Sequence, residues 1–192
     1  SVDLQQRIQM HEMVRQFAAQ KLEQEKSLSL LTSRQHCEYY IARLCNWWDN
    51  SESKHVVAWL MPDFDNICAA WEWAFNHHLF TLLSRAIIPF TKFYIYAGLL
   101  WEGDLLIGSY YEKLRSQSRE VSKAGTAEAY QELMTTLTYA RALFYYQFSQ
   151  HEQSLQLFMV AKAQVQQNGY SYLASNIEYY LGNLNRMAQR FQ

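Results

Sequence analysis

Histidines, cysteines, tryptophans and acidic pairs are the residues of this chain with chemistry to weigh first. His77 and His78, with His55, are nitrogen donors of the kind that bind zinc. Adjacent residues on a helix point about 100° apart, and no cysteine or carboxylate completes a ligand set. A solvated or capping role is the expectation for them. Cys37 and Cys45 lie on one helix face and read as small buried hydrophobes. Trp47-Trp48 and Trp71-x-Trp73 offer flat rings able to stack on bases or a planar ligand. No basic residues surround them, so packing in a core is favoured. Glu112, Lys113 and Arg115 form a charge run, expected on a solvated helix face. Asp63 and Asp65 have the spacing of paired acids. Near a helix start they are expected to cap it and to meet its dipole. No nucleophile–base pair is visible, so catalysis within the chain is not expected.

Composition sets what could position such residues. The 192 residues are 49% hydrophobic and 18% charged, which excludes disorder and allows one core or a string of stacked helical pairs. Six Gly and only two Pro, with frequent Ala, Leu, Gln and Glu, favour an all-helical chain. The net charge of -1 gives no overall attraction to nucleic acid or to an acidic membrane. Three cysteines without CxxC spacing argue against a disulfide framework and for a reducing cytoplasm. No apolar run reaches the roughly 18 residues of a membrane span, and the start SVDLQQR has no signal-peptide pattern.

Periodicity predicts helices throughout. The first runs from Met10 to about Glu23, with Met10, Val14, Phe17 and Ala18 on one face. Ser27 to Leu31 reads as a connector. Thr32 and Gln35 then form a capping box for a helix reaching Trp48. A short helix over Lys54–Leu60 precedes Pro62, and the next helix covers Asp63–His77. Leu79–Ala97 follows, with a kink expected at Pro89 and a cap at Gly98. Leu99–Arg115 is its antiparallel partner. Polar residues from Ser116 to Gly125 make the clearest loop. Thr126–Phe148 pairs with Gln150–Gln167, Gly169 ends that pair, and Tyr170–Arg190 starts another. The division expected is 1-30, a linker helix; 31-78, a helical cap; and 79-192, repeats with the last one truncated.

Thr135–Ala161 organises the rest because its pattern returns over Ser175–Phe191. At a shift of 40, Ala142 falls on Gly182 and Tyr139 on Tyr179. Small residues at Ala142, Ser154 and Ala161 let two antiparallel helices approach, with Tyr145 and Phe158 filling the space between. This spacing resembles a tetratricopeptide hairpin, as does the Leu181-Gly182 pair. The fold implied is all-α, a right-handed α-solenoid of antiparallel helical hairpins. The repeat is longer than the usual ~34 residues.

Two further stretches, Met10–Ala18 and Asp65–Ala74, resemble segments of the STAND proteins, signal-transduction ATPases related to the apoptotic and plant-resistance ATPases and to bacterial helical-repeat activators. Met10-His11-Glu12 followed by Val14-Arg15-Gln16-Phe17-Ala18 is similar to the motif closing their winged-helix domain, with Glu12 in place of Asp. Asp65-Asn66-Ile67-Cys68-Ala69-Ala70-Trp71-Glu72-Trp73-Ala74 is similar to a phrase in the helical linker that follows. Tetratricopeptide-like repeats come next in that family, so the resemblance runs along nearly the whole chain. It implies that His11 touches the β-phosphate of ADP in a full-length parent, where an imidazole donor would hold the off state. The chain has no GxxxxGK[ST], so no nucleotide cofactor is expected in it; ADP and ATP belong to the implied parent. The chain is expected to be a piece of that longer protein.

The first helices of such hairpins line a concave face. Tyr139, Leu143, Tyr146, Tyr179, Asn183 and Arg186 are expected there, with Arg85, Lys92 and Tyr96 in equivalent places of the first hairpin. Aromatic anchors among Asn and Arg donors suit a protein, a peptide or a small-molecule inducer; packing between repeats is the competing use of these rings. The function expected is a non-catalytic sensor and scaffold segment that binds an inducer or partner and docks on the ATPase domain of its own polypeptide. No direct contact with nucleic acid or membrane is expected. A stand-alone peptide-binding adaptor is the alternative, told apart by whether a P-loop lies upstream. An enzyme has the least support.

Overall fold

The computed structural model describes residues 11–49, 56–117 and 127–190, and every regular element among them is helical. The order is α1 (Glu12–Gln24), α2 (Lys26–Asp49), α3 (Val56–Leu60), a 3-10 turn (Met61–Asp63), α4 (Phe64–Asn76), α5 (Phe80–Ala97), α6 (Leu100–Ser116), α7 (Ala127–Gln147), α8 (His151–Asn168) and α9 (Ser171–Arg190). Among the described residues no helix is long and apolar enough to cross a membrane. Met10, His55 and most of the polar stretch expected as a loop lie outside the described residues; Ser116 closes α6.

One expected break is absent. α2 runs unbroken through Ser27–Leu31, so Thr32 caps nothing. Leu28, Leu30 and Leu31 are strong helix formers, and serine costs a helix interior only a few tenths of a kcal/mol, about 0.5. The Ser29 amide already bonds back to the Glu25 carbonyl. Elsewhere the ends follow local chemistry. Gly98 (φ 74) and Gly169 (φ 79) take the left-handed conformation that closes α5 and α8. At the ends of α4 and α7 the same conformation falls on His78 and Ser149. Their amides, and those of Leu79 and Gln150, return to the last turn just as Gly98 and Leu99 do. Closing those turns outweighs the side-chain penalty, which is about 1 kcal/mol.

The core has two parts that share α7. The first spans α2 to α7 and includes Ile41, Leu44, Trp71, Phe90 and Phe93; it continues on both sides of residue 78. Trp71 stacks on Phe90 with centroids 4.4 Å apart and planes at 12°. The second is built from α7, α8 and α9 around Tyr139, Phe158 and Leu173. Leu133, Leu137, Ala140 and Phe144 of α7 serve the first part, and Tyr139, Ala142 and Leu143 serve the second. Burial on both sides explains why α7 is apolar nearly all round.

Small residues set the close approaches. Ala142, Ser154 and Ala161 are all fully buried, and the Ser154 hydroxyl donates to the Ala142 carbonyl across α7 and α8 at 2.9 Å. The ring filling that contact beside Phe158 is Tyr139, at 5.7 Å, whereas Tyr145 lies partly exposed near Arg141. Gly103 is where α6 meets α7. A Cβ there would lie 2.5 Å from Phe144 Cζ and 2.9 Å from Tyr94 Cβ. Gly103→Ala is therefore expected to destabilise the fold by about 1–3 kcal/mol through overpacking. Its higher helix propensity, worth about 1 kcal/mol, offsets only part of this. A chemical-denaturation midpoint at or above that of the parent chain would refute the close packing.

Candidate functional site

α5 and the helices beside it carry two surface clefts. Pro89 sits inside α5 and is buried. It has no N–H to give the carbonyl of Arg85, one turn earlier. The Cys45 thiol of α2 reaches that oxygen at 3.9 Å, a weak contact at best. Around this point a cleft of about 430 Å³ opens, walled by Cys45, Trp48 and Asp49 of α2, Ser84, Arg85, Ile88 and Pro89 of α5, Glu132 of α7 and Tyr172 of α9. A second cleft of about 490 Å³ lies along Arg34 and Glu38 of α2, His78 to Leu82, Arg85 and Ala129. Arg85 lines both, so the two clefts adjoin at this residue.

The charges along this groove are of two kinds. Arg34 and Glu38 satisfy each other at 2.8 Å. Asp49, Arg85 and Glu132 form no salt bridge with any described residue. The Tyr172 hydroxyl donates to one Glu132 oxygen at 3.2 Å. Burial, with the Glu132 charge beside it, pushes the Tyr172 phenol above its usual range. Burial also raises the Cys45 thiol; the Arg85 charge opposes this and the Asp49 charge adds to it. Cys45 is therefore a poor nucleophile at neutral pH.

The residues expected to make a ligand face are scattered. Arg85 is exposed in the groove. Tyr139 and Leu143 are not on a surface at all; they are buried between α7 and α8 because that side of α7 is covered by its partner helix. Lys92 donates to the Tyr180 hydroxyl at 3.1 Å and lies over the same ring, 5.6 Å from its centre. Tyr146 meets Tyr180 edge-on at 5.1 Å, and Tyr180 stacks on Phe158 at 5.2 Å. This is a packed cluster that ties α5, α7, α8 and α9 together. Tyr179 and Tyr96 are exposed, and Arg186 donates to Asn183 one turn earlier on α9. His11 is exposed and caps α1, its ring Nδ1 accepting from the Met13 amide at 3.3 Å. Tyr180, Asp49, Glu132 and Tyr172 were not marked by spacing. The proline four residues after Arg85 was the available signal, since it frees a carbonyl inside a helix.

The remaining chemistry-bearing residues have structural work. His77 stacks on Trp73 at 3.9 Å, and its Nδ1 lies 2.8 Å from the Trp73 carbonyl. Among the described residues no three His, Cys, Asp or Glu gather as a metal set. Cys37 is buried against the Ala70 carbonyl, and burial pushes its thiol up to about 11. Asp63 stands at the N-cap position of α4 without a capping bond. Its carboxylate instead takes a 2.6 Å hydrogen bond from Arg43, whose guanidinium also lies 4.0 Å over Trp59. A buried carboxylate gains more from a full positive charge than from a backbone amide. Asp65 stays in the first turn of α4, where it meets the dipole. Glu112 bridges Arg115 and Arg141.

Comparison of the chain with protein-family models, with curated proteins and with solved structures finds no match.

Proposed function

We propose that this chain is a non-catalytic sensor and scaffold segment of a STAND-type signalling ATPase or transcriptional regulator. On this reading its helices continue as a right-handed, tetratricopeptide-like solenoid, and the segment works in the cytoplasm. It binds a protein, a peptide or an inducer, and it docks on the ATPase domain of its own polypeptide. The observation that carries the binding role is the pair of clefts that share Arg85, with three charges of mixed sign that have no ionic partner among the described residues. The phrases around His11 and Asp65–Ala74 support the link to an ATPase.

Control of an ATPase requires that the segment touch its ADP and ATP states unequally. Deleting this segment from the parent regulator is therefore expected to change the rate of ADP-for-ATP exchange, followed with a fluorescent ADP analogue. An unchanged rate would remove the control function. A parent polypeptide with no P-loop upstream would favour the stand-alone adaptor instead.

A further inference from the structure

The cleft at Pro89 has a chemistry more specific than a general docking groove. Three groups belonging to its lining residues can only accept hydrogen bonds. They are the Asp49 carboxylate at the end of α2, the Glu132 carboxylate, and the Arg85 carbonyl that Pro89 leaves without its helical donor. Trp48 and Tyr172 supply aromatic surface to the wall. Acceptors with aromatic walls complement a group that only donates and carries positive charge. Arg85, whose guanidinium has five donors and no acceptor, lines both clefts. Opposite charges that surround one cleft without meeting each other leave a dipole to be matched from outside.

We propose that this cleft takes the lysine or arginine side chain of an extended partner peptide, while Arg85 pairs with a carboxylate on the same peptide. The proposal rests on the groove reading above and names its ligand. The basic side chain enters beside Asp49 and Glu132 and meets the Arg85 carbonyl. The carboxylate sits at the join, and the peptide continues into the second cleft. Two clefts of about 430 and 490 Å³ that share Arg85 are more than one free amino acid would fill, which favours a peptide over a metabolite. No bond is made or broken.

The test uses the whole chain and fluorescein-tagged short peptides in an alanine–serine background. One carries a lysine and a glutamate, one has only the lysine, one only the glutamate, and one is neutral. Fluorescence polarisation at low salt is expected to rank the doubly charged peptide about tenfold or more above the neutral one, a difference of about 1.4 kcal/mol. The preference should shrink as salt screens it. Asp49→Asn with Glu132→Gln should abolish the preference for lysine and keep that for glutamate. Arg85→Gln should do the reverse. Glu132→Gln retains an oxygen for Tyr172, and helical circular dichroism checks the fold of each variant. Equal affinity for charged and neutral peptides overturns the proposal, as does a ranking the variants leave untouched. Displacement by free lysine at the same concentration as the peptide overturns it in favour of a small amino acid. If neutral peptides bind and Arg85→Gln weakens them, the groove reading survives and only the charge chemistry falls. If no peptide binds, both fall.

Discussion

Trp71→Ala is expected to lower the unfolding free energy by about 3–5 kcal/mol, the range for emptying a large aromatic site in a packed core. Trp71 is 1% exposed, stacks on Phe90 and leans on Tyr110 at 6.2 Å. Phe90 in turn meets Tyr94 edge-on, so the cavity would open where α4, α5 and α6 are joined. Equilibrium unfolding in urea, read by circular dichroism, measures the loss. A midpoint shift worth less than about 1 kcal/mol would mean that the site collapses or was never tightly packed. Trp71→Phe separates two contributions. The indole Nε1 is buried with no acceptor among the described residues. An unmet buried donor costs about 1–3 kcal/mol. Phenylalanine keeps a stack on Phe90 and removes that donor, so its cost should be well below that of alanine. Equal costs for the two variants would show that the indole N–H finds a partner in solution.

Alkaline pH should unfold the protein steeply. Burial pushes the phenols of Tyr94, Tyr110 and Tyr139 well above their usual range. It also raises the Cys37 thiol to about 11. In the unfolded chain these groups lose their protons at ordinary values, about 8.5 for Cys and 10 for Tyr. In the folded chain they keep them. Between those two ranges the unfolded state therefore binds fewer protons, and stability falls as pH rises. Their contribution is complete below the unfolded pKa values. It starts to fall near pH ~9 with the thiol and falls faster above ~10 with the phenols. Denaturation midpoints taken across that range, alongside tyrosinate absorbance, give the check. The buried phenols should ionise only as helix is lost. Ionisation of all tyrosines near pH 10, with the helices intact, would refute the burial. Tyr139→Phe should flatten the decline, because this ring is buried beside Phe158 and has one fewer proton to lose.

Much of the helical layout was legible in the sequence because it is local. Phe64, Ile67, Trp71 and Phe75 recur at helical spacing, and α4 forms there. Gly98 and Gly169 lie where left-handed caps occur. The close approach at Ala142 and Ser154 was legible too, since only small residues permit it. The start of α2 was misread because serine and threonine favour both caps and turns. Whether they act so depends on the residues around them, and here three leucines carry the helix through.

The candidate face was far less legible. Periodicity tells that Tyr139 and Tyr179 occupy equivalent places, but not which has a neighbour. α8 covers the first, and the second stays exposed. Lys92 looked like a ligand donor and instead holds Tyr180, a residue 88 positions away. Asp63 looked like a cap and instead holds Arg43.

Sequence alone determined that the described chain is helical, which residues are small enough for close packing, and that Pro89 must free a carbonyl. These follow from backbone sterics and from side chains a turn apart. The tertiary structure alone decided which tyrosines are core and which are surface, and that Asp49, Arg85, Glu132 and Tyr172 share a cleft. Those four come from four helices, and their meeting depends on how the helices cross. That crossing is set by packing summed over the whole core, a quantity no local window contains.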